Sequence, residues 1–107
     1  MSPTLESIRR LVAEGEIRIS EHGYDELSED SIRVREIIDG VGHTIEIEDY
    51  PAFPKGPAVL VLQFDGSKRP VHAVWGIPKG FVSPAVLITA YRPDPARWNE
   101  HFIERRK

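Results

Sequence analysis

The fold class the sequence predicts is α+β, and three observations carry it. Apolar residues recur at helical spacing before residue 43 and alternate at a period of two from there onward. Two continuously apolar runs, AVLVLQF (58–64) and AVLITAY (85–91), fit central strands covered on both faces. Connections among the last four strands are short, which favours an antiparallel meander with helices packed on it. The expected architecture is an antiparallel four-stranded meander sheet, an additional short N-terminal strand, and helices on one face.

Each element has a local reason. Ser2 supplies a capping hydroxyl and Pro3 opens a helix over about 3–14, with Leu5, Ile8, Leu11 and Val12 as its apolar stripe. EIRIS (16–20) is a short strand, in which Ile17 and Ile19 flank Arg18. A short helix over 21–27 follows, weakened at Gly23 by up to about 1 kcal/mol relative to alanine. SEDS (28–31) caps a further helix with Val34, Ile37, Ile38 and Val41 as its stripe, closed by Gly40 and Gly42. HTIEIEDY (43–50) is a half-exposed strand with Ile45 and Ile47 on one face. PAFPKGP (51–57) is a loop and DGSKR (65–69) a hairpin turn with an Asp-Gly signal. PVHAVWG (70–76) sets Val71, Ala73 and Trp75 opposite His72 and Val74, and IPKGFVSP (77–84) is a second hairpin loop. Asp94 and Pro95 open a final helix carrying Trp98, Phe102 and the basic end ERRK.

Residues 1–107 make a single domain, long enough for one core. A hydrophobic share of 40% with 29% charged residues excludes a disordered tail protein. The N-terminal segment has no apolar run of the signal-peptide kind, no window is apolar enough to span a membrane, and there are no cysteines. A cytoplasmic location is expected, without thiolate metal sites or disulfides. The net charge of −3 volunteers no basic face for nucleic acid.

No glycine-rich phosphate loop, H-E-x-x-H pair or G-x-S-x-G elbow is present, so neither a cofactor nor a metal is expected. What remains is a constellation around His22 and His72, with Tyr91 and Arg92 ending the last strand and Thr89 on the same face as Tyr91. Histidine titrates near neutrality and suits general acid–base work, and arginine stabilises a phosphoryl transition state through its planar fork. Two histidines, a tyrosine and an arginine suffice for metal-independent RNA cleavage. The bland reading stands beside it: His22 fixing a strand-to-helix corner by a hydrogen bond, His72 a satisfied core histidine, Tyr91 a packing anchor. His43 and His101 read as surface residues, Trp75 and Trp98 as core.

ISEHGYDEL, IIDGVGHTIEIEDYP, RPVHAVW and LITAYRPDPARW, taken in this order, resemble the bacterial domain of unknown function 4258 over about residues 17–106. That family is similar in layout to RelE-like toxins of toxin–antitoxin systems. The resemblance implies a RelE-like fold, a toxin-type role as a metal-independent endoribonuclease with RNA as substrate, and a cognate antitoxin protein as partner. It aligns His22 with the histidine of the family's Ser-x-His segment, which begins here at Ser20, and His72 with that of its Pro-x-His segment. Thr89 and Tyr91 fall on its Ile-Thr-x-Tyr segment. Two positions depart: Gly23 stands where the family has alanine, and Glu26 where it has arginine. Arg92, Arg33 and Arg35 are the candidates to supply the missing phosphate-binding cation. The alternative is a non-catalytic protein-interaction module on the same fold. Catalysis by a shared site requires the His22 and His72 imidazoles to adjoin or to be bridged by one ligand.

Overall fold

Ser2 and Pro3 begin the first helix as the sequence predicts. In the computed structural model, which describes residues 2–105, the Ser2 hydroxyl accepts the Leu5 N–H at 3.1 Å and α1 runs Pro3–Ala13. There follow β1 (Ile17–Ile19), α2 (Glu21–Glu29), α3 (Val34–Asp39), a 3-10 turn (Val41–His43), β2 (Ile45–Tyr50), β3 (Ala58–Phe64), β4 (Pro70–Gly76) and β5 (Ala85–Tyr91).

The strands form one mixed sheet in the order β1-β5-β4-β3-β2. β2 to β5 are the antiparallel meander. β1 lies outside it as an edge parallel to β5, with Ile17 opposite Ala85 and Ile19 opposite Leu87. The architecture is therefore α+β, with the short first strand closing one edge of a five-stranded sheet. One sheet face carries Val59, Val61, Val71, Ala73 and Trp75, which pack with Leu5, Ile8, Leu11, Leu27 and Ile37 into the main core. Gln63 is fully buried on this side with both ends of its amide satisfied: it donates to the Ile37 carbonyl at 2.8 Å and accepts the Trp75 indole N–H at 3.3 Å. The opposite face presents Leu60, Leu62 and His72, all buried as well.

Three expectations are corrected. SEDS does not cap the helix that follows it. α2 runs through Ser28 to Glu29, and the break falls at Ser31, which is left-handed at φ 54°. The Ile32 N–H then bonds back to the Leu27 carbonyl at 2.8 Å, a turn that buries both side chains, and α3 starts after Arg33 without a side-chain cap. Burying two large apolar residues outweighs a local cap of about 1 kcal/mol. In β2 the register slips between Glu46 and Glu48, so Ile45 and Ile47 do not share a face. Ile45 is left 43% exposed, and the Glu46 carboxylate accepts the Ser2 N–H at 2.9 Å.

The final helix does not form among the described residues. Residues 94–105 are turns and bends, joined by a single antiparallel bridge between Trp98 and Arg105. Asp94 does use its side chain, but to close a turn onto the Ala96 N–H at 2.9 Å. Trp98 is drawn onto the sheet and Phe102 is left-handed at φ 60°, geometry incompatible with a continuous helix.

Candidate functional site

The strand register puts His72 directly opposite Tyr91, and Val74 opposite Thr89. The His72 ring meets Tyr91 edge-on with centroids 5.7 Å apart, and Trp98 edge-on at 4.3 Å. Its Nε2 lies 2.7 Å from the Phe102 carbonyl oxygen. A carbonyl can only accept, so Nε2 carries the proton and Nδ1 holds a lone pair. That Nδ1 is buried without a hydrogen-bond partner. Burial pushes the imidazole below its ordinary value; the Phe102 bond works against this and the Arg105 charge adds to it. Residues 94–105 thus lie as a strap across the second face of the sheet, with His72 sealed beneath it.

Beside the sealed histidine the surface opens. A groove of about 640 Å³ is lined by Tyr91, Arg92, Arg97, Trp98 and Arg105, with Asp94 and Ala96. Each guanidinium has a carboxylate partner. Arg92 bonds the buried Asp65 carboxylate at 2.7 Å and the Pro70 carbonyl at 3.3 Å, while its own N–H donates to Asp30 at 2.8 Å. Arg105 pairs with Glu48 and lies over the Trp98 ring at 4.9 Å. Arg97 is 4.0 Å from Asp94, the loosest of the three, and its side chain is 83% exposed. Tyr91 is raised above the ordinary phenol value, first by burial; Arg105 opposes this, and the Glu26 and Glu48 carboxylates reinforce it. Glu48 in turn is held low, by the Tyr50 hydroxyl that donates to it at 2.6 Å and by Arg105.

His22 occupies different ground. Ser20 caps α2, accepting the Gly23 N–H at 2.9 Å and donating to the Ile88 carbonyl at 2.7 Å, which docks the helix start on the middle of β5. His22 lies on the outside of that first turn, two-thirds exposed, with Nε2 3.2 Å from the Glu26 carboxylate one turn on. The acid that replaces the family arginine is therefore engaged with the neighbouring imidazole. His22 is not one of the rings packed on His72, and among the described residues no hydrogen bond joins the two imidazoles. Gly23 is packed so closely that a Cβ there would lie 2.9 Å from the Leu87 carbonyl oxygen.

Of the residues singled out from sequence, the structure brings together His72, Tyr91 and Arg92, with Thr89 on the same sheet face as Tyr91. Ser20 is tied up as a cap. Arg33 and Arg35 do not line the arginine groove: Arg33 is the exposed residue before α3, and Arg35 pairs with Asp39 at 3.7 Å on its surface. The sequence reading missed Arg97, Arg105 and Glu48. A helix over these residues would hide the convergence of the two arginines on Tyr91. Among the described residues no three His, Cys, Asp or Glu side chains are grouped to hold a metal ion, and no helix is long and apolar enough to cross a membrane.

The sequence matches the family described as domain of unknown function (DUF4258) over residues 19–92, well over half the chain. The chain belongs to that family. No curated protein and no solved structure matches it. The DUF4258 match includes His22, His72, Tyr91 and Arg92 and stops there. The strap, with Arg97, Trp98 and Arg105, lies beyond it.

Proposed function

We propose that this DUF4258 domain is the toxin-type component of a bacterial toxin–antitoxin pair, RelE-like in layout, and that it cleaves RNA without a metal ion at the Tyr91 end of β5. The observation that carries this reading is the groove in which Tyr91 stands with Arg92, Arg97 and Arg105. Attack of a ribose 2′-hydroxyl on its own phosphate needs a base, an acid for the departing 5′-oxygen, and cations for the charge that builds on phosphorus. Tyr91, raised by burial, is a neutral phenol at pH 7 and serves as the acid. Arg97, weakly held by Asp94, is free to swing onto the phosphate, while Arg92 and Arg105 are fixed by their carboxylates. The base assigned to the 2′-hydroxyl proton is His22, which lies outside the groove lining but is paired with Glu26, a carboxylate close enough to Tyr91 for its charge to act on the phenol. His72 touches no substrate in this arrangement; it packs behind Tyr91 and positions the phenol.

The test is cleavage of a long mixed RNA by purified protein in EDTA. Tyr91→Phe and His22→Ala are each expected to lower the rate about a hundred- to ten-thousand-fold, and Arg97→Ala to weaken it through phosphate binding. Cleavage that survives both acid–base substitutions overturns the assignment. A second reading, a non-catalytic protein-interaction module, draws support from the surface around His22. There α2 exposes Glu21, Asp25, Glu29 and a half-exposed Tyr24, a face that repels phosphate and suits a protein partner. RNA left intact across salt and pH leaves that reading in place.

A further inference from the structure

Two loops at one end of the sheet, 51–57 between β2 and β3 and 77–84 between β4 and β5, are stitched together by backbone bonds. The Ile77 N–H donates to the Pro57 carbonyl at 3.0 Å and the Lys79 N–H to the Lys55 carbonyl at 2.9 Å. Gly56 makes the approach feasible: its φ is +125°, and a Cβ there would lie 2.0 Å from the Ile77 carbonyl oxygen. The joined loops frame a groove of about 420 Å³, lined by Phe53, Ile77, Val86 and Ile88 with Arg18 and Lys55 among them. Phe53 is 47% exposed, and Phe81 and Val82 in the same loop pair are 70% and 82% exposed. An apolar groove with an exposed aromatic on its lining, next to a loop that exposes further large apolar side chains, marks an interaction surface.

The charges select the partner. Among the described residues Arg18, Lys55 and Lys79 have no ion-pair partner, whereas the three arginines of the Tyr91 groove each have one. A second copy docking by this same patch would bring these unpaired cations face to face, which costs affinity. An aliphatic lining of Ile77, Val86 and Ile88 suits side-chain anchors better than stacked bases.

We propose that this groove docks an acidic segment of another protein, one that inserts aromatic or aliphatic anchors while its carboxylates meet Arg18 and Lys55 in the groove, with Lys79 on the adjoining loop. The surface is separate from the Tyr91 groove and does not depend on the RNA reading. The experiment pans a displayed library of random linear peptides against the full chain, then measures the enriched peptides by fluorescence anisotropy. Enriched sequences are expected to combine Asp or Glu with an apolar anchor, and to bind about tenfold or more weakly to Phe53→Ser and to Lys55→Glu. Both substitutions are at exposed loop positions, and Arg18→Glu on β1 gives an independent third. No enrichment, enrichment of basic peptides, or binding indifferent to all three substitutions overturns the proposal. So does displacement of the peptides by single-stranded RNA from the same residues, which would make this a nucleic-acid groove.

Discussion

The Nε2–H of His72 donates to the Phe102 carbonyl at 2.7 Å, tying the irregular segment after β5 to the middle of the sheet. Around this bond the Trp98 and Tyr91 rings close on the imidazole, and Arg105 lies over Trp98. With so little regular structure in the strap, this bond, the Trp98 packing and the Arg105–Glu48 pair are what hold it to the sheet.

Substituting His72→Phe keeps a ring in place and removes the donor. Leaving the Phe102 carbonyl unpaired is expected to cost about 1–3 kcal/mol. Trp98 fluorescence should shift toward the red as the strap loosens, while Trp75, fully buried in the main core, should not change. Urea titration and the emission maximum of single-tryptophan variants check this. An unmoved maximum from Trp98 counts against the anchor.

The same histidine makes stability depend on pH. Burial, helped by Arg105 and opposed by the Phe102 bond, holds it below its ordinary 6.5 in the folded chain. The unfolded chain therefore binds the proton first as pH falls. The contribution of neutral His72 is fully present above about 6.5 and is lost progressively below it, until the folded value is reached. Denaturation midpoints of the native chain should thus fall faster between about pH 7 and 5 than those of His72→Phe. Parallel curves would exclude the linkage.

Asp65 works in the opposite direction. Burial alone would raise its carboxyl, but N–H groups of Arg69 and Ser67 and the Arg92 guanidinium more than offset this and hold it low. Its side chain is 2% exposed. Asp65→Asn leaves Arg92 half-buried without its counter-charge and should destabilise by about 3 kcal/mol, the lower end for a broken buried pair. Part of the native stability at this site should vanish below the ordinary carboxylate value as acid protonates Asp65. Thermal melts of the two proteins across acid pH test both statements.

Gly23→Ala sets helix propensity against packing. Alanine favours a helix by about 1 kcal/mol over glycine, yet its Cβ would come within 2.9 Å of the Leu87 carbonyl and 3.1 Å of the Ser20 hydroxyl. Both neighbours are committed, the hydroxyl to the Ile88 carbonyl at 2.7 Å. The substitution should lower stability despite the gain in propensity. A raised melting temperature would show that α2 shifts off β5 freely.

What the sequence discloses and what it hides differ from element to element. The strands at 58–64, 70–76 and 85–91 coincide with β3, β4 and β5, because alternation and continuous apolar runs are local signals of burial. The same rule brought His72 near Thr89 or Tyr91 without choosing between them; the register of β4 on β5 sets it opposite Tyr91. Glycine at position 23 read as a weakness in a helix; its reason is a backbone carbonyl more than sixty residues away along the chain. Asp94-Pro95 carried a helix signal, and long-range contacts of Trp98 and Phe102 with His72 overrode it. Arg97 and Arg105 were hidden for the same reason: their meeting with Tyr91 depends on a strap whose course nothing local encodes. His22 was visible as a corner residue, and the helix expected over 21–27 already sets it one turn from Glu26, the partner it has in the structure.

The central claim is that Tyr91 and the groove arginines serve an attack of the ribose 2′-hydroxyl on its own phosphate. It is tested most directly by the ends of the cleaved RNA, read by mass spectrometry after incubation with the native chain and with Tyr91→Phe, both in EDTA. The account predicts 2′,3′-cyclic or 3′-phosphate ends opposite 5′-hydroxyl ends, formed by the native chain and almost absent with Tyr91→Phe. Uncut RNA, 3′-hydroxyl ends opposite 5′-phosphate ends, or equal cleavage by the two proteins would contradict it.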